Sequence, residues 1–226
     1  MCKRGPKPKG KINIKWSADF VYGLGLLASD GNLSPDGRHI SFVSTDLDQI
    51  KTFLKVFKIR DIKIGKTSHK FNTKTAFRVQ FGDILFYRFL LGIGFTPNKS
   101  KTIGEIKIPD NYFYDFLRGS YDGDGTFYSY WDRRWKSSHM FYLEFISASR
   151  MHMEWIRKRL NKQLGVVGHV VNSKECVTYQ LKYAKKEALE IIKKMYYTRL
   201  VNCLARKRLK IERAIAIEEK QQQSYI

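Results

Sequence analysis

The chain has 226 residues, of which 43% are hydrophobic and 14% aromatic, so it is long enough to bury the core of one large domain or two small ones. Its 42 Lys and Arg residues outnumber 21 Asp and Glu residues, and the net charge of +21, spread along the whole chain, predicts a nucleic-acid partner rather than a membrane surface. The three cysteines, Cys2, Cys176 and Cys203, are widely spaced, which predicts neither a disulfide framework nor a zinc site. The sequence shows no signal-peptide pattern and no apolar run of about 18 residues, so we expect a soluble intracellular protein without a membrane span.

Residues 1–13 are predicted to form a flexible basic arm, because their lysines and arginine alternate with Gly and Pro and cannot bury apolar surface. A first structured half is predicted over residues 14–103. It begins with a helix over Trp16–Ser29, for which Ser17 is a suitable N-cap. The elements predicted after it are a strand over Arg38–Ser44, a helix over Asp48–Phe57, strands over Asp61–Gly65 and Thr75–Phe81, and a helix over Asp83–Leu91.

A second half, residues 104–198, repeats this order. Its predicted elements are a helix over Tyr112–Gly123, strands over Thr126–Asp132 and Met140–Ser147, a helix over Met151–Leu164, strands over Val166–Asn172 and Cys176–Tyr183, and a helix over Lys185–Tyr196. Apolar positions also repeat at a constant offset, since Phe42 and Ile50 are followed 103 residues later by Phe145 and Met153. The duplication predicts an α+β fold of two αββαββα halves related by a pseudo-two-fold axis, with two antiparallel sheets that form a basic, DNA-binding saddle.

The C-terminal segment, residues 199–226, has a helical period and dense basic charge over Arg199–Lys220. Three arrangements stay open for it. It packs on the second half, extends along the nucleic acid, or forms a solvated surface helix.

The duplication is clearest in the stretch Leu117–Gly125, because a similar stretch, Gly23–Gly31, occurs earlier in the chain. Each copy ends an apolar run with a carboxylate and a glycine, and Asp124 follows Asp30 by 94 residues. Each copy also carries small residues four positions apart, which share one face of a helix and permit two helices to approach closely. These predicted helix-interface residues are Gly25, Ser29, Gly119 and Gly123.

The acid at the end of each copy is unusual for a helix. A carboxylate in the last turn faces the negative end of the helix dipole, and packing two such ends together places Asp30 near Asp124. A divalent cation with oxygen ligands, such as Mg²⁺, would relieve both effects. Asp-Gly alone is also an ordinary helix stop, but its recurrence at matched positions favours the cation site.

These residues resemble the paired motifs of single-chain LAGLIDADG homing endonucleases. The resemblance is carried by FLRGSYDGDGTF at Phe116–Phe127 and YGLGLLASDGNL at Tyr22–Leu33, and it extends from about Phe20 to about Arg206. Asn98–Lys101 is similar to a further pattern of the family. The first motif departs from the second by having Ala28 where the second has Asp122, so Asp122 is interpreted as a structural residue rather than a ligand.

The resemblance implies a monomeric, metal-dependent endonuclease that cuts both strands of a long double-stranded DNA site across the minor groove and leaves short 3′ overhangs. It implies that Asp30 and Asp124 bind Mg²⁺ (or Mn²⁺), with the main-chain carbonyls of Ser29 and Gly123 completing the metal shell. A lysine is expected to assist catalysis. The candidates are Lys182, its counterpart Gln80, and Lys99, and the sequence does not choose among them.

The polar side chains that alternate with apolar ones along the predicted strands are candidate DNA contacts, since a two-stranded ribbon fits the major groove. These candidates are His39, Ser41, Lys63, Arg78, Gln80, Tyr128, Tyr130, Tyr142, Glu144, His169, Thr178, Gln180 and Lys182.

Three functions remain as hypotheses at this stage. The first is a free-standing endonuclease of intron or mobile-element homing. The second is a protein of the same fold without cleavage, either an RNA maturase or a DNA-binding regulator. The third is a basic RNA-binding protein that stacks bases on Tyr and Trp, which leaves the duplicated Asp-Gly unexplained.

Overall fold

The computed structural model describes residues 10–67, 75–135, 138–172 and 177–223. Within these residues the helices are α1 (Ala18–Asp30), α2 (Leu47–Val56), α3 (Ile84–Ile93), α4 (Phe113–Asp124), α5 (Arg150–Leu164), α6 (Lys185–Met195) and α7 (Ala205–Gln223). The strands are β1 (Gly31–Leu33), β2 (His39–Ser44), β3 (Gly65–Thr67), β4 (Ala76–Gly82), β5 (Thr126–Trp131), β6 (His139–Ser147), β7 (His169–Asn172) and β8 (Tyr179–Ala184). The predicted α+β fold with two αββαββα halves is confirmed.

The strands form two antiparallel sheets with the same topology, β1-β2-β4-β3 and β5-β6-β8-β7. Their registers correspond as well. Phe42 lies opposite Val79 in the first sheet, and Phe145 lies opposite Leu181 in the second. The matched register shows that the repeat of apolar positions in the sequence reflects a repeat of the sheet itself.

Each sheet buries one face against helices, because apolar residues alternate along its central strands. In β4, Val79 and Phe81 are buried whereas Arg78 and Gln80, which alternate with them, are exposed. The Phe42 ring stacks on Phe53 of α2 with centroids 4.2 Å apart. One continuous apolar core joins the two halves, and it leaves the opposite face of each sheet free for polar residues.

Helices α1 and α4 cross at the centre of this core and position the site. Ser17 caps α1, as predicted, and its Oγ accepts a hydrogen bond from the Phe20 N–H at 3.2 Å. The two helices touch through main-chain atoms, since a methyl group placed on Gly25 would lie 2.2 Å from the Phe116 carbonyl oxygen. Only small side chains permit so short an interhelical distance.

Three strands begin three or more residues later than predicted, and no strand was predicted at the position of β1. The strand predicted over Asp61–Gly65 begins only at Gly65, because Lys58 and Asp61 adopt left-handed conformations (φ 53° and 58°) that turn the chain before the strand begins. In the second half, β7 begins at His169, three residues later than predicted, after left-handed Gly168 (φ 55°). The strand predicted from Cys176 begins at Tyr179, and Cys176 itself lies outside the described residues.

The C-terminal segment becomes helical only at Ala205, not at Arg199. Of the three arrangements considered, the structure shows packing on the second half, where Ile211 and Ala214 of α7 are buried in the common core. This docking brings the first turn of α7 to the end of α4.

Residues 1–9 of the predicted basic arm lie outside the described residues, but the last part of the arm is anchored. The Asp83 carboxylate accepts hydrogen bonds from the Lys11 and Ile12 N–H groups at 2.6 and 3.0 Å. None of the helices in the described ranges combines the length and hydrophobicity that a membrane crossing requires.

Candidate functional site

The two motif acids lie together where α1 and α4 end. Each helix closes with the following glycine, whose N–H donates to a carbonyl of the last turn, Gly31 to Leu27 and Gly125 to Tyr121. The helix ends interlock so tightly that a Cβ on Gly123 would lie 3.0 Å from Asp30 Oδ2. The predicted small-residue stripes therefore face each other in the structure.

Burial and mutual repulsion make this acid pair costly to ionise. Burial, together with the charge of Asp124, raises the pKa of Asp30 to about 7. Asp124 keeps an exposed edge, but the desolvation caused by the surrounding atoms also raises its pKa above the ordinary value. A site that holds two carboxylates in this way favours a cation, because a cation stabilises the ionised form of both.

Gln49 of α2 orients one of the two acids. Its Nε2 donates to Asp30 Oδ2 at 2.7 Å, and its own Oε1 accepts from the Ser44 hydroxyl at 2.6 Å. The residue at the equivalent position of α5, His152, instead places Nδ1 2.7 Å from the Gly104 carbonyl oxygen. The two halves of the site are thus chemically different despite their shared backbone.

A lysine reaches the end of each motif helix. Lys99 Nζ donates to the carbonyl oxygens of Ala28 and Ser29 at 2.6 and 3.2 Å. Lys207, in the first turn of α7, donates to three carbonyl oxygens of the other helix end, those of Tyr121 (2.6 Å), Gly123 (3.1 Å) and Gly125 (2.7 Å). Burial lowers the pKa of both ammonium groups to about 8, opposed by the charges of the nearby acids.

The segment Asn202–Lys207, here called the strap, carries Lys207 and ties the two halves together. Asn202 Nδ2 donates to Asp19 of α1, and Arg206 Nε donates to Asp46 at the start of α2, at 2.5 and 2.6 Å. On the second half, the Leu204 N–H donates to Asp122 Oδ2 at 2.8 Å.

Asp122 is fully buried and acts as the strap's anchor. Its Oδ2 also accepts a hydrogen bond from the Tyr22 hydroxyl at 2.8 Å. Burial raises the pKa of Asp122 to about 6, while these hydrogen bonds favour its ionised form. These contacts agree with the structural interpretation of Asp122.

The donor set suits a hard divalent cation. Asp30 and Asp124 offer carboxylate oxygens, and the Ser29 and Gly123 carbonyls lie at the same helix ends, so all available ligands are oxygens, as Mg²⁺ prefers. In the described part of the chain, no three His, Cys, Asp or Glu side chains gather at one point. Substrate oxygens and water would therefore complete the coordination of such a cation.

A cleft of about 250 Å³ opens beside Asp124 on the side of the second sheet. Its walls include Ser29, Lys99, Asp124, Ser147 and Thr178. Thr178, predicted as a strand position that contacts DNA, thus lies outside the strand and lines this cleft instead.

The remaining predicted contact residues occupy the polar face of the two sheets, but they are not equally accessible. Arg78, Gln80 and His169 are exposed. Ser41 and Glu144 are buried, with 5% and 4% of their surface exposed. Lys63 and Tyr130 are also exposed, and intermediate exposure is found for His39, Tyr128, Tyr142, Gln180 and Lys182.

Several of these side chains are engaged with one another. Tyr142 stacks with Tyr128 and Tyr130 at centroid distances of 5.3 and 6.3 Å. His39 pairs with Asp36 in the turn before β2. Lys63 precedes β3 and lines a shallow pocket with Arg78 and Gln80.

The three candidates for the catalytic lysine are now distinguished by position. Lys182 Nζ forms an ion pair with Glu144 at 2.9 Å, and Gln80 accepts a hydrogen bond from Arg78, so both are engaged on the sheet. Of the three, only Lys99 contacts a motif helix end. Lys207 and Gln49 also contact this site, and neither was predicted from the sequence.

Weak signals for both missed residues exist in the sequence. Lys207 follows the last helix of its half much as Lys99 follows α3, but the spacing differs from the repeat by several residues. Gln49 is a polar residue within the apolar stripe of α2, beside Ile50 and Phe53, and a buried amide in such a stripe requires hydrogen-bond partners.

Comparison with known proteins identifies the fold but not a sequence family. No family model and no curated protein matches the chain. Among solved structures, full-length DUF199/WhiA from Thermatoga maritima aligns with a TM-score of 0.57 and 16% identity over 90% of this chain. This chain spans 62% of the length of that protein.

Two DNA-bound endonucleases align over most of their own length. The meganuclease I-SmaMI bound to uncleaveable DNA has a TM-score of 0.57 and 12% identity, covering 93% of this chain and 92% of that one. The homing endonuclease I-DmoI in complex with DNA and Ca has a TM-score of 0.55 and 14% identity, covering 89% and 97%. The resemblance seen in the paired motifs is thereby confirmed at the level of the fold: this chain has the duplicated LAGLIDADG fold.

Proposed function

We propose that this chain, which has the duplicated LAGLIDADG fold, is a site-specific endonuclease that cuts both strands of a long double-stranded DNA target, using Mg²⁺ or Mn²⁺. The observation that carries the proposal is the meeting of Asp30 and Asp124 at two interlocked helix ends, with a lysine ammonium at each end. Their surroundings make both carboxylates harder to ionise, so a bound cation explains their place at the helix ends better than folding stability does.

Each acid serves one DNA strand across the minor groove in this proposal. Bound metal ions would stabilise the attacking water and the leaving oxygen of the phosphodiester displacement. Asp30 and Asp124 hold the metal, Gln49 orients Asp30, and Lys99 and Lys207 supply positive charge beside the scissile phosphates. Because both acids come from one polypeptide, a monomer is sufficient for cutting both strands.

The polar faces of the two sheets supply the DNA-binding surface. Exposed Arg78, Gln80 and His169, together with the net charge of +21, suit contacts to phosphates and base edges. The I-DmoI and I-SmaMI structures that share this fold are bound to DNA. Cleavage at a long site would serve intron or mobile-element homing.

The alternative is a protein of this fold that binds nucleic acid without cleaving it, as a DNA-binding regulator or an RNA maturase. The N-terminal LAGLIDADG domain of DUF199/WhiA, with a TM-score of 0.55 and 17% identity over 88% of both chains, shows that the fold also occurs outside the endonucleases. Retention of both acids favours the endonuclease.

Incubation of the protein with a randomised duplex library, followed by sequencing of the cut ends, tests the two functions directly. The endonuclease predicts cuts at one long sequence, with 3′ overhangs, in Mg²⁺ or Mn²⁺ but not in EDTA. Asp30→Asn and Asp124→Asn should abolish cleavage while DNA affinity is retained. Tight duplex binding without cuts would establish the regulator, and a preference for structured RNA would establish the maturase.

A further inference from the structure

The ammonium groups of Lys99 and Lys207 occupy the ends of the two motif helices. Lys99 Nζ contacts the Ser29 carbonyl oxygen, and Lys207 Nζ contacts the Gly123 carbonyl oxygen, at 3.2 and 3.1 Å. Both side chains are largely enclosed, and Lys99 is only 3% exposed. These lysines are therefore part of the packed site and are not surface charges that happen to point inward.

The two carbonyl oxygens they contact are the ones that adjoin the motif acids in the chain. Ser29 precedes Asp30, and Gly123 precedes Asp124. A cation bound by either acid and the adjoining carbonyl would therefore meet a lysine already donating to that carbonyl. Two cations cannot share one carbonyl oxygen at close range without strong repulsion.

The charge of the site supports such competition. When both are ionised, the two carboxylates contribute about −2, and two helix C-termini add about −0.5 each. The two ammonium groups offset about +2 of this, so the DNA-free site is left with a charge of about −1. Two divalent cations would then overcharge the site unless the ammonium groups moved away or phosphates arrived.

We propose that Lys99 and Lys207 are resident cations that hold the metal site of the DNA-free protein, and that metal entry displaces them from the Ser29 and Gly123 carbonyls. This inference rests on the proposed endonuclease function. It adds that metal loading and lysine release are one coupled step. The released ammonium groups are then free to turn toward the DNA phosphates, so the protein loads metal weakly until DNA is present.

Each lysine has an anchored base from which only its side chain needs to move. Lys99 begins a short 3-10 turn that follows left-handed Asn98 (φ 55°), and Lys207 lies in the first turn of α7. The strap is held by the Leu204 N–H bond to Asp122 and by the Arg206 contact with Asp46. These contacts do not involve either ammonium group and can persist after displacement.

Mn²⁺ binding to the full-length, DNA-free protein tests the proposal without reference to cleavage. The electron paramagnetic resonance signal of free Mn²⁺ gives the affinity for wild type, Lys99→Met and Lys207→Met. Each substitution removes a competing cation, so we expect roughly tenfold tighter Mn²⁺ binding in either variant. Lys210→Met, which removes an exposed α7 lysine one turn away, is the matched control and should leave the affinity within about twofold.

Asp124→Asn identifies the site that is measured, since it should remove the Mn²⁺ binding seen in the lysine variants. Circular dichroism confirms that each variant is folded. Unchanged or weaker Mn²⁺ affinity in folded Lys99→Met and Lys207→Met would overturn the displacement. If wild type still cleaved DNA with Mg²⁺ in that case, the endonuclease proposal would stand, whereas a failure of cleavage would count against the endonuclease itself.

Discussion

Gly25 and Gly119 face each other at the crossing of α1 and α4, and neither helix leaves room for a side chain at the glycine of the other. A methyl group on Gly119 would lie 2.1 Å from the Tyr22 carbonyl oxygen and 3.0 Å from the Gly25 Cα. The contact is between main chains, so no side-chain rotation can relieve it. This crossing sets the distance between the two helix ends, and hence between Asp30 and Asp124.

Gly25→Ala and Gly119→Ala should each lower the free energy of unfolding by roughly 3 kcal/mol, the upper part of the range for overpacking, because backbone must shift to admit the methyl group. Urea denaturation measures the change. Gly92→Ala is the control, since its added methyl group would meet no atom within 4 Å in the last turn of α3. That variant should gain at most about 0.5–1 kcal/mol from helix propensity, and equal losses in all three would contradict the close crossing.

Lys99→Met and Lys207→Met should each slow DNA cleavage by roughly 100-fold, the size expected when one charge is lost beside a reacting phosphate. Lys182→Met should instead affect DNA affinity more than rate, because Lys182 is paired with Glu144 on the sheet. Single-turnover cleavage with saturating protein separates rate from affinity. A rate loss seen only in Lys182→Met would assign the catalytic role to Lys182 instead of Lys99 and Lys207.

Gln49→Leu should make the two strand cuts unequal, because it removes the hydrogen bond that orients Asp30 and leaves Asp124 unchanged. Accumulation of nicked duplex, followed on a supercoiled plasmid, measures the imbalance, and roughly tenfold slowing of one cut is expected. Ser44→Ala leaves the Gln49–Asp30 hydrogen bond in place, removing only the bond to Gln49 Oε1 and the one that Ser44 Oγ accepts from the Asp46 N–H, and should have a smaller effect. Equal slowing of both strands would show that Gln49 acts on the whole site.

His152→Gln should make the protein more resistant to acid. Burial lowers the pKa of His152 to about 4. Between about pH 6.5 and pH 4, the His152 imidazole is therefore protonated in the unfolded chain but stays neutral in the folded protein. Stability is therefore lost as the pH falls through this window, by up to roughly 3 kcal/mol, and a non-titrating glutamine that can still donate to the Gly104 carbonyl avoids the loss. The measurement is the difference in unfolding free energy between variant and wild type at pH 7 and pH 4.5, and a constant difference would contradict the assignment.

Arg78→Ala should weaken DNA binding and reduce the slope of log affinity against log salt concentration by about 1, as expected for a lost phosphate contact. Lys51→Ala, which removes one positive charge from the exposed side of α2, is the matched control and should leave the slope unchanged. Fluorescence anisotropy at several salt concentrations measures both. An unchanged slope for Arg78→Ala would place the DNA away from the first sheet.

Periodicity predicted most of the fold because each half repeats the same simple rules. Alternation along β4 and the helical stripe of α2 indicate which residues are buried, and the glycines of α1 and α4 predict a close crossing. The short strands β3 and β7 were misplaced because left-handed residues such as Lys58 and Asp61 do not carry a sequence signature strong enough to mark a turn.

The sequence by itself determined the duplication, the small-residue stripes and the two acids, because these are encoded at matched positions along the chain. Only the tertiary structure decided which polar and charged side chains lie beside those acids. Lys207 reaches the site because the buried Asp122 anchors the strap at Leu204 and α7 packs on the second half, and Gln49 reaches Asp30 because α2 packs beside α1. Such contacts join residues far apart in sequence, so they follow from packing geometry and not from any local pattern.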